Sequence, residues 1–329
     1  MKDYNNEEIV KMYKEMVLGR VYQEEILERI AAAKMTTGFY HLSIGTESVA
    51  VGIMNAMQAS DYIMPTHRMH ALLLGMLDIK EFTAELMGRA TGYGHGKSFE
   101  FSIGVPEKHI LPKETILASG GPYSVGAAMA LKLNKKAGVV ITCWGDGTTS
   151  EGNVHESMNL ASVFKVPIVF VIDNNGWAMS QPLRDQCAIT NLSDRAAAYG
   201  MRGVYTDGHD VLAVRDVMED AIALARKGQP NVVELKTIRH RGHFEGDAQR
   251  YRDDLDTIKE SLKNDCIARL EKVITEKGIL DKAGMDAIWK EKKLATLEAF
   301  AYAEEQPMPD RALTLDPHEV YANIPGGTK

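Results

Sequence analysis

Three groups of polar residues in this chain each follow a short run of apolar residues. The groups are Gly145, Asp146, Gly147 and Thr148, then Asp173, Asn174 and Asn175, and finally Arg239 with the histidine-containing residues 240–243. The two glycines let the backbone approach a ligand and direct N–H groups at an anion. Carboxylate and amide oxygens suit a hard divalent cation, which also accepts phosphate oxygens. These residue types therefore favour a site for Mg²⁺ and a diphosphate.

The apolar runs before these groups predict how the groups are brought together. Residues 139–144 and 166–172 are typical of buried strands, and residues 151–164 between them have one apolar helical face. Such a strand-helix-strand unit makes the strands parallel, so their carboxyl ends meet at one edge of a sheet. Residues 232–238 predict a further strand, and we expect all three polar groups to face one crevice.

A Gly-Asp-Gly sequence is also typical of a tight turn that binds nothing. Residues 145–147 alone leave these two interpretations equally open. The paired Asn174 and Asn175 after the next predicted strand favour the binding site.

The remaining hydrophobic pattern predicts helices around this sheet. They are expected after Thr46 and over residues 6–33, 69–77, 79–87, 191–199, 211–226, 256–275 and 283–305, with a short strand over residues 203–206. The fold class is therefore α/β, a doubly wound and mostly parallel sheet with N- and C-terminal helical additions. We expect an N-terminal arm at residues 1–37, the α/β domain at 38–250 and a C-terminal helical segment at 251–329.

Composition excludes several classes of protein. With 329 residues, 45% of them hydrophobic and 25% charged, the chain can bury a substantial core. The formal charge of -7 gives no overall basic field for nucleic acid. Cys143, Cys187 and Cys266 form no C-x-x-C pair, so neither a disulfide framework nor a zinc site is indicated. The start of the chain does not resemble a signal peptide, and no apolar run approaches the roughly 20 residues of a membrane span, so we expect a cytoplasmic protein.

The spacing of two of the polar groups resembles a known motif. Gly145-Asp146-Gly147, followed about 26 residues later by Asn174-Asn175, resembles the diphosphate and metal motif of thiamine diphosphate enzymes. Nearly the whole chain is similar to the alpha subunit of the first, decarboxylating component of 2-oxo acid dehydrogenase complexes, and most similar to the acetoin dehydrogenase branch. The segments that carry the similarity are residues 38–42, 66–70, 145–153, 193–200 and 241–247.

The resemblance implies thiamine diphosphate and Mg²⁺ as cofactors and assigns roles to individual residues. The magnesium ligands would be Asp146, the side chain of Asn175 and the backbone carbonyl of Trp177. The residues around the diphosphate would be Gly145, Gly147, Thr148 and Arg68, with assistance from Arg239. The other residues that line the cofactor would be His67 and, through a backbone group near the aminopyrimidine, Leu117.

The resemblance also implies which residues are catalytic. His41, His70 and His243 would surround the thiazolium and the substrate. The cofactor supplies a carbanion equivalent, so the protein must move protons around the adduct. Imidazoles titrate near neutral pH and suit this task.

One requirement of this chemistry is missing from the chain. A carboxylate must contact the cofactor's pyrimidine, and Glu47 is a candidate, but a glutamate in the first turn of a helix more often interacts with the helix dipole. In the resembled family this glutamate comes from a separate beta subunit. We therefore expect a partner beta subunit, two alpha chains with two beta chains, and a lipoyl acyltransferase core as a further partner. The beta subunit is expected to bury the helices that follow Thr46 and Ala118.

Residues 94–100 depart from the family pattern. Gly96-Lys97-Ser98 nearly completes a P-loop, but Thr91 stands where the first glycine belongs and a predicted helix precedes it, so a nucleotide triphosphatase is a weak alternative. Glu100 stands where the resembled family has a histidine. If Glu100 reaches the pocket, it would disfavour a substrate carboxylate.

These features favour an enzyme that cleaves acetoin or a related α-hydroxyketone or diketone. Residues 241–247, with Gln249, Tyr251 and Arg252, look more like the acetoin branch than the pyruvate branch. Two alternatives remain: an alpha subunit for pyruvate or another 2-oxo acid, and a two-subunit thiamine diphosphate lyase or ligase without a lipoyl acceptor. A non-catalytic relative is expected to lose metal ligands, and Asp146 and Asn175 are intact.

Overall fold

The computed structural model of the chain describes residues 2–35 and 39–314. The strands are β1 (Tyr62–Met64), β2 (Val140–Gly145), β3 (Ile168–Asn174), β4 (Trp177–Ala178), β5 (Gln181–Pro182), β6 (Arg202–Asp207) and β7 (Asn231–Lys236). The α-helices are α1 (Asn6–Ala31), α2 (Glu47–Ala56), α3 (His70–Met76), α4 (Ile79–Leu86), α5 (Gly120–Leu133), α6 (Gly152–Phe164), α7 (Val211–Ala225), α8 (Leu255–Leu262), α9 (Cys266–Glu276), α10 (Lys282–Glu305) and α11 (Arg311–Thr314). Short 3-10 helices cover Pro106–Lys108, Gly147–Ser150, Leu183–Asp185 and Leu192–Tyr199.

Five strands form one parallel sheet in the order β1-β2-β3-β7-β6, and β4 pairs with β5 in a small antiparallel ribbon. The pairing of β2 with β3 runs from Val140 opposite Ile168 to Gly145 opposite Asp173. The predicted strand-helix-strand unit is confirmed, with α6 as the connecting helix. Because the strands run in one direction, their carboxyl ends lie at one edge of the sheet.

Successive residues of the central strands face opposite layers of helices. In β3, Ile168, Phe170 and Ile172 belong to a core that includes residues of α5 and α6. Val169 and Val171 belong to a larger core that includes residues of α1, α2 and α7. Burial on both faces explains why these strands are continuously apolar in the sequence.

The two ends of the described chain pack against each other. Helix α1 contacts α9 and α10, and α10 also contacts α4. Tyr13 donates a hydrogen bond to Glu271, and Trp289 donates one to Tyr13. The expected boundary between residues 37 and 38, and the chain from residue 315 onwards, lie outside the described residues.

Strand β1, the region of α8 and α9, and residues 191–199 are among the parts of the fold that differ from the sequence prediction. The pattern does not predict β1, because three residues are too few to show a periodicity. The helix predicted over residues 256–275 is divided into α8 and α9, since the Asp265 side chain accepts a hydrogen bond from the Ile267 N–H and caps a new helix. Residues 191–199 contain a 3-10 helix rather than an α-helix.

Glu47 belongs to a buried ion-pair network and not to the crevice. Arg20 donates to both of its carboxylate oxygens, at 2.6 and 2.9 Å, and also to Asp265. Glu47 further accepts hydrogen bonds from the Gly45 N–H and the Cys266 thiol. Its role is therefore to connect α1, α2 and α9.

Helix α2 is buried within the chain. It packs against α1, α3 and α7, and most of its side chains are inaccessible to solvent. The prediction that a beta subunit buries this helix is therefore wrong. Helix α5 does expose apolar side chains, including Tyr123 and Leu133.

The cysteines and the helix lengths bear on two classes of protein that the sequence analysis excludes. The three cysteines are free thiols. Within residues 2–35 and 39–314, no helix is both long and apolar enough to cross a membrane.

The Arg20 network predicts a large effect on stability. Arg20→Met leaves Glu47 as a buried carboxylate without its cation, and we expect the free energy of unfolding to fall by about 3–5 kcal/mol in chemical denaturation. Arg184→Met is the matched control, because Arg184 and its partner Asp253 are both exposed, and it should cost less than about 1 kcal/mol. Equal losses in the two variants would contradict this account of Glu47.

Candidate functional site

A cavity of about 330 Å³ lies at the carboxyl ends of β1, β2 and β3. The predicted site residues that line it are His67, Arg68, Leu117, Gly145, Asp146, Gly147, Thr148, Asn175, Trp177 and His243. The cavity lining does not include His41, His70 or Arg239. The short strand β1 explains the position of His67 and Arg68, since its carboxyl end leads into them.

Two buried carboxylates occupy adjacent strand ends in this cavity. Asp146 directly follows β2, and Asp173 lies opposite Gly145 near the end of β3. Burial and the charge of Asp173 raise the pKa of Asp146 to about 7. Asp173 accepts a hydrogen bond from Thr237, whereas Oδ2 of Asp146 has no hydrogen-bond partner. A bound cation would supply that partner and relieve the repulsion between the two carboxylates.

Arg68 is a buried cation in the same cavity. Its guanidinium donates hydrogen bonds to the backbone carbonyls of Leu42, at 2.8 Å, and His243, at 2.6 Å. Burial and the nearby charge of Arg239 lower the pKa of Arg68 to about 10. An anion close to both guanidinium groups would relieve this repulsion.

Arg239 lines a narrow cleft that it shares with Arg68, Asp173 and Asn175. Its Nη2 donates to the Met179 carbonyl at 2.8 Å, while its Nε and Nη1 are buried without a partner. Buried N–H donors without acceptors are costly. Phosphate oxygens are acceptors that would satisfy them.

The two glycines of the motif have different structural roles. A Cβ atom at Gly145 would meet no atom within 4 Å, so the backbone there is open to a ligand in the cavity. A Cβ atom at Gly147 would lie 2.4 Å from the Cβ of Ala178. The second glycine is therefore required by packing.

The oxygen donors near Asp146 fit a magnesium ion that is bound together with phosphate. Asn175 and Trp177 line the cavity, and the Trp177 N–H donates to Oδ1 of Asn175. Among the described residues, no three His, Cys, Asp or Glu side chains gather into a metal site of their own. A cation would therefore also need amide, backbone and phosphate oxygens, which Mg²⁺ accepts.

Three imidazole rings pack against each other beside the cavity. The ring centroid of His41 lies 4.7 Å from that of His67 and 4.8 Å from that of His243. Burial and the charge of Arg68 lower the pKa of His67 well below its usual value and that of His243 to about 3. His67 and His243 are thus neutral at neutral pH, although the sequence predicts that His243 titrates there.

Glu100 does not line the cavity and contacts two of the histidines instead. It is fully buried, and its Oε1 accepts hydrogen bonds from the backbone N–H of His41, at 3.0 Å, and from Nδ1 of His41, at 2.7 Å. His70, at the start of α3, is also fully buried, and its Nε2 lies 3.3 Å from Oε2 of Glu100 without hydrogen-bond geometry. Glu100 could select the substrate only if it reached the pocket, and it does not line the cavity.

The glycine-rich loop before Glu100 is folded around a carboxylate of the chain itself. Glu85 accepts hydrogen bonds of 2.6–3.1 Å from the backbone N–H groups of Gly94, Gly96, Ser98 and Phe99 and from the Ser98 hydroxyl. The N–H groups that resemble a P-loop are therefore occupied internally. The nucleotide triphosphatase alternative loses its support.

Several lining residues have no role in the sequence prediction. They are Thr66, Glu114, Glu151, Ala178 and Met179. Asp173 also lines the cavity, as the sequence predicts for the group of residues 173–175. Glu114 accepts a hydrogen bond from the N–H of Gly120 at the start of α5, and no local pattern predicts that this loop reaches the cavity.

Comparison with known proteins gives the family of this chain. A family model described as "Dehydrogenase E1 component" matches residues 13–312. The chain belongs to this family. As a dehydrogenase E1 chain, it is an oxidoreductase of the thiamine diphosphate-dependent type.

Individual relatives of this E1 chain come from two branches. The alpha subunits of acetoin:2,6-dichlorophenolindophenol oxidoreductase from Bacillus subtilis (strain 168) and Cupriavidus necator are 33% and 34% identical to it. These alignments cover 96% and 94% of this chain and 95% and 94% of the relatives. The pyruvate dehydrogenase E1 component subunit alpha of Zymomonas mobilis is 33% identical, over 97% of this chain and 89% of the relative.

The buried carboxylate predicts a metal-dependent effect on cofactor binding. Asp146→Ala removes the carboxylate that carries the unpartnered Oδ2 atom, and we expect the affinity for thiamine diphosphate in the presence of Mg²⁺ to fall at least about tenfold in calorimetry. Asp185→Ala, which removes an exposed aspartate, is the control and should leave the affinity unchanged. Equal affinity of Asp146→Ala and the parent protein would refute the proposed metal site.

Proposed function

We propose that this chain is the alpha subunit of a thiamine diphosphate- and Mg²⁺-dependent dehydrogenase component that cleaves acetoin or a related α-hydroxyketone or diketone. The observation that carries the cofactor part is the Asp146 carboxylate beside Asn175, whose Oδ2 atom has no hydrogen-bond partner, close to the buried guanidinium groups of Arg68 and Arg239. Carboxylates without a cation and guanidinium groups without an anion together fit a magnesium diphosphate. The fragment released from the substrate passes to a lipoyl or other acceptor.

In this proposal each charged group has a separate task. Asp146, the Asn175 side chain and the Trp177 carbonyl hold the magnesium ion. Arg68, Arg239 and the open backbone from Gly145 to Thr148 bind the diphosphate. When bound, thiamine diphosphate supplies the carbanion equivalent that the side chains lack.

The histidines provide neutral hydrogen-bonding groups near the substrate. His67 and His243 line the cavity, and burial beside Arg68 keeps both uncharged. His243 can therefore donate or accept a hydrogen bond without adding a charge. It is the histidine that we place on the substrate side of the cofactor, with His41 packed against it.

Two candidates for the carboxylate that the cofactor pyrimidine needs already have partners within the chain. Glu47 is paired with Arg20, and Glu114 accepts a hydrogen bond from the N–H of Gly120 at the start of α5. We propose that a beta subunit supplies this carboxylate. Leu117 at the cavity wall and Tyr123 on α5 are both half-exposed, and Ile116 is exposed. These side chains are apolar surface for that partner.

The substrate proposal rests on similarity and on the charges of the cavity. Two of the compared relatives are named for acetoin. Residues 241–247, with Gln249, Tyr251 and Arg252, resemble that branch. Arg68 is the one cation among the described residues that line the cavity, and it already binds two backbone carbonyls. A neutral ketone needs no further cation, whereas a 2-oxo acid does.

The missing carboxylate predicts that the chain is inactive alone. Purified without a partner it should show no turnover, and co-expression with its beta subunit should give activity in a particle of two alpha and two beta chains by light scattering. Full turnover by the single chain would refute the shared site.

The substrate proposal is tested by a direct comparison. With the assembled alpha and beta chains and 2,6-dichlorophenolindophenol as electron acceptor, we expect a higher kcat/KM for acetoin than for pyruvate. A higher value for pyruvate would favour the 2-oxo acid alternative. No reaction with either substrate, despite cofactor binding, would favour a lyase or ligase without a lipoyl acceptor.

A further inference from the structure

Glu100 is a buried charge to which the proposed function gives no task. One oxygen contacts His41, and the other lies 3.3 Å from His70. Lys113 is the nearby cation, and its Nζ is buried without a hydrogen-bond partner. Removing a carboxylate from water is costly unless it is paired and hydrogen-bonded, so the contacts of Glu100 are what allow it to be buried.

The contacts of Glu100 determine which nitrogen of His41 carries the proton. Burial alone raises the pKa of Glu100, but the imidazoles of His41 and His70 and the charge of Lys113 hold it below its usual range. An ionised carboxylate only accepts hydrogen bonds. The 2.7 Å contact therefore requires N–H at Nδ1 of His41, and the ring keeps a lone pair at Nε2 when it is neutral.

The neighbouring His243 has the opposite arrangement. Nη2 of Arg68 lies 3.3 Å from Nδ1 of His243, and a guanidinium only donates, so Nδ1 is the acceptor. The neutral His243 ring then carries its proton at Nε2. Two packed imidazoles, with centroids 4.8 Å apart, are thus held as a hydrogen-bond acceptor and a hydrogen-bond donor.

The loop that carries Glu100 is fixed in position by the rest of the fold. Glu85 binds the backbone N–H groups of Ser98 and Phe99, directly before Glu100. Phe101, directly after it, packs against the His41 ring. The backbone N–H of His41 donates to the same oxygen as its ring, so Glu100 and His41 are held at two points.

We propose that Glu100 is a positioning residue that acts through His41: it fixes the imidazole with N–H at Nδ1 and leaves Nε2 as the atom that accepts a proton or a hydrogen bond during the reaction. A carboxylate that orients a histidine in this way determines its tautomer. The inference rests on the proposed function, because His41 matters to turnover only if the adjacent cavity holds the reacting groups.

A double-mutant cycle tests whether Glu100 acts through His41. Glu100→Met removes both acceptor oxygens at similar volume, and Glu100→Gln keeps one acceptor. Each Glu100 substitution is made both in the parent protein and in the His41→Ala variant, and every variant is assembled with the beta subunit. We expect Glu100→Met to lower kcat at least about tenfold, with Glu100→Gln intermediate, while KM and the affinity for thiamine diphosphate stay within about threefold.

In the His41→Ala background, Glu100→Met should change kcat by less than about twofold. Glu15→Gln removes a part-buried carboxylate that binds Asn55 on α2, and as the control it should leave kcat unchanged. An equal loss of kcat in both backgrounds, or no loss in either, would overturn the inference. Thermal unfolding of each variant shows whether a loss of kcat comes from a loss of fold.

A second measurement separates this inference from the proposed function. If neither acetoin nor pyruvate reacts, the proposed function fails, but ¹⁵N NMR of histidine-labelled protein still reports the tautomer of His41. The His41 signal is assigned by its disappearance in His41→Ala. We expect the form protonated at Nδ1, and a form protonated only at Nε2 would overturn the role of Glu100.

Discussion

The site depends on one constraint, which is the crowding of buried charges of both signs at the carboxyl edge of the parallel sheet. Asp146 and Asp173 repel each other there, and so do Arg68 and Arg239. The two members of each pair have the same charge, so they cannot neutralise each other. In addition, polar atoms of Asp146 and Arg239 have no hydrogen-bond partner. A parallel sheet imposes this crowding, because each strand ends at the same edge and passes its next residues into the same crevice.

Around this edge, carboxylates of the chain organise its loops. Glu85 gathers the N–H groups of the glycine-rich loop, much as a bound anion would, and so fixes the segment that leads to Glu100. Glu47 holds helices together instead, through its ion pair with Arg20. Each of these internal anions is paired, whereas Asp146 retains an oxygen without a partner. Because Asp146 also lines the cavity, this oxygen is available to a ligand.

The sequence predicts the centre of the site better than its surroundings. Residues 139–144 and 166–172 are recognisable because a strand buried on both faces is continuously apolar, and Asp146 and Asn175 follow from the strand ends. Strand β1 is too short to leave a pattern. The positions of Glu100 and Glu114 depend on loops folded by long-range hydrogen bonds, as with Glu85, and no local spacing encodes such contacts. Glu47 has the same local sequence context whether it meets a cofactor or Arg20.

We propose that the unbalanced charges at the sheet edge form a site for a magnesium diphosphate. Calorimetric titration of the assembled parent protein with thiamine diphosphate, once with Mg²⁺ and once with a chelator, tests it most directly. We expect tight binding with the metal and a loss of affinity of at least about tenfold without it, because no cation would then lie between the diphosphate and the carboxylates of Asp146 and Asp173. The same affinity under both conditions would contradict a magnesium diphosphate site.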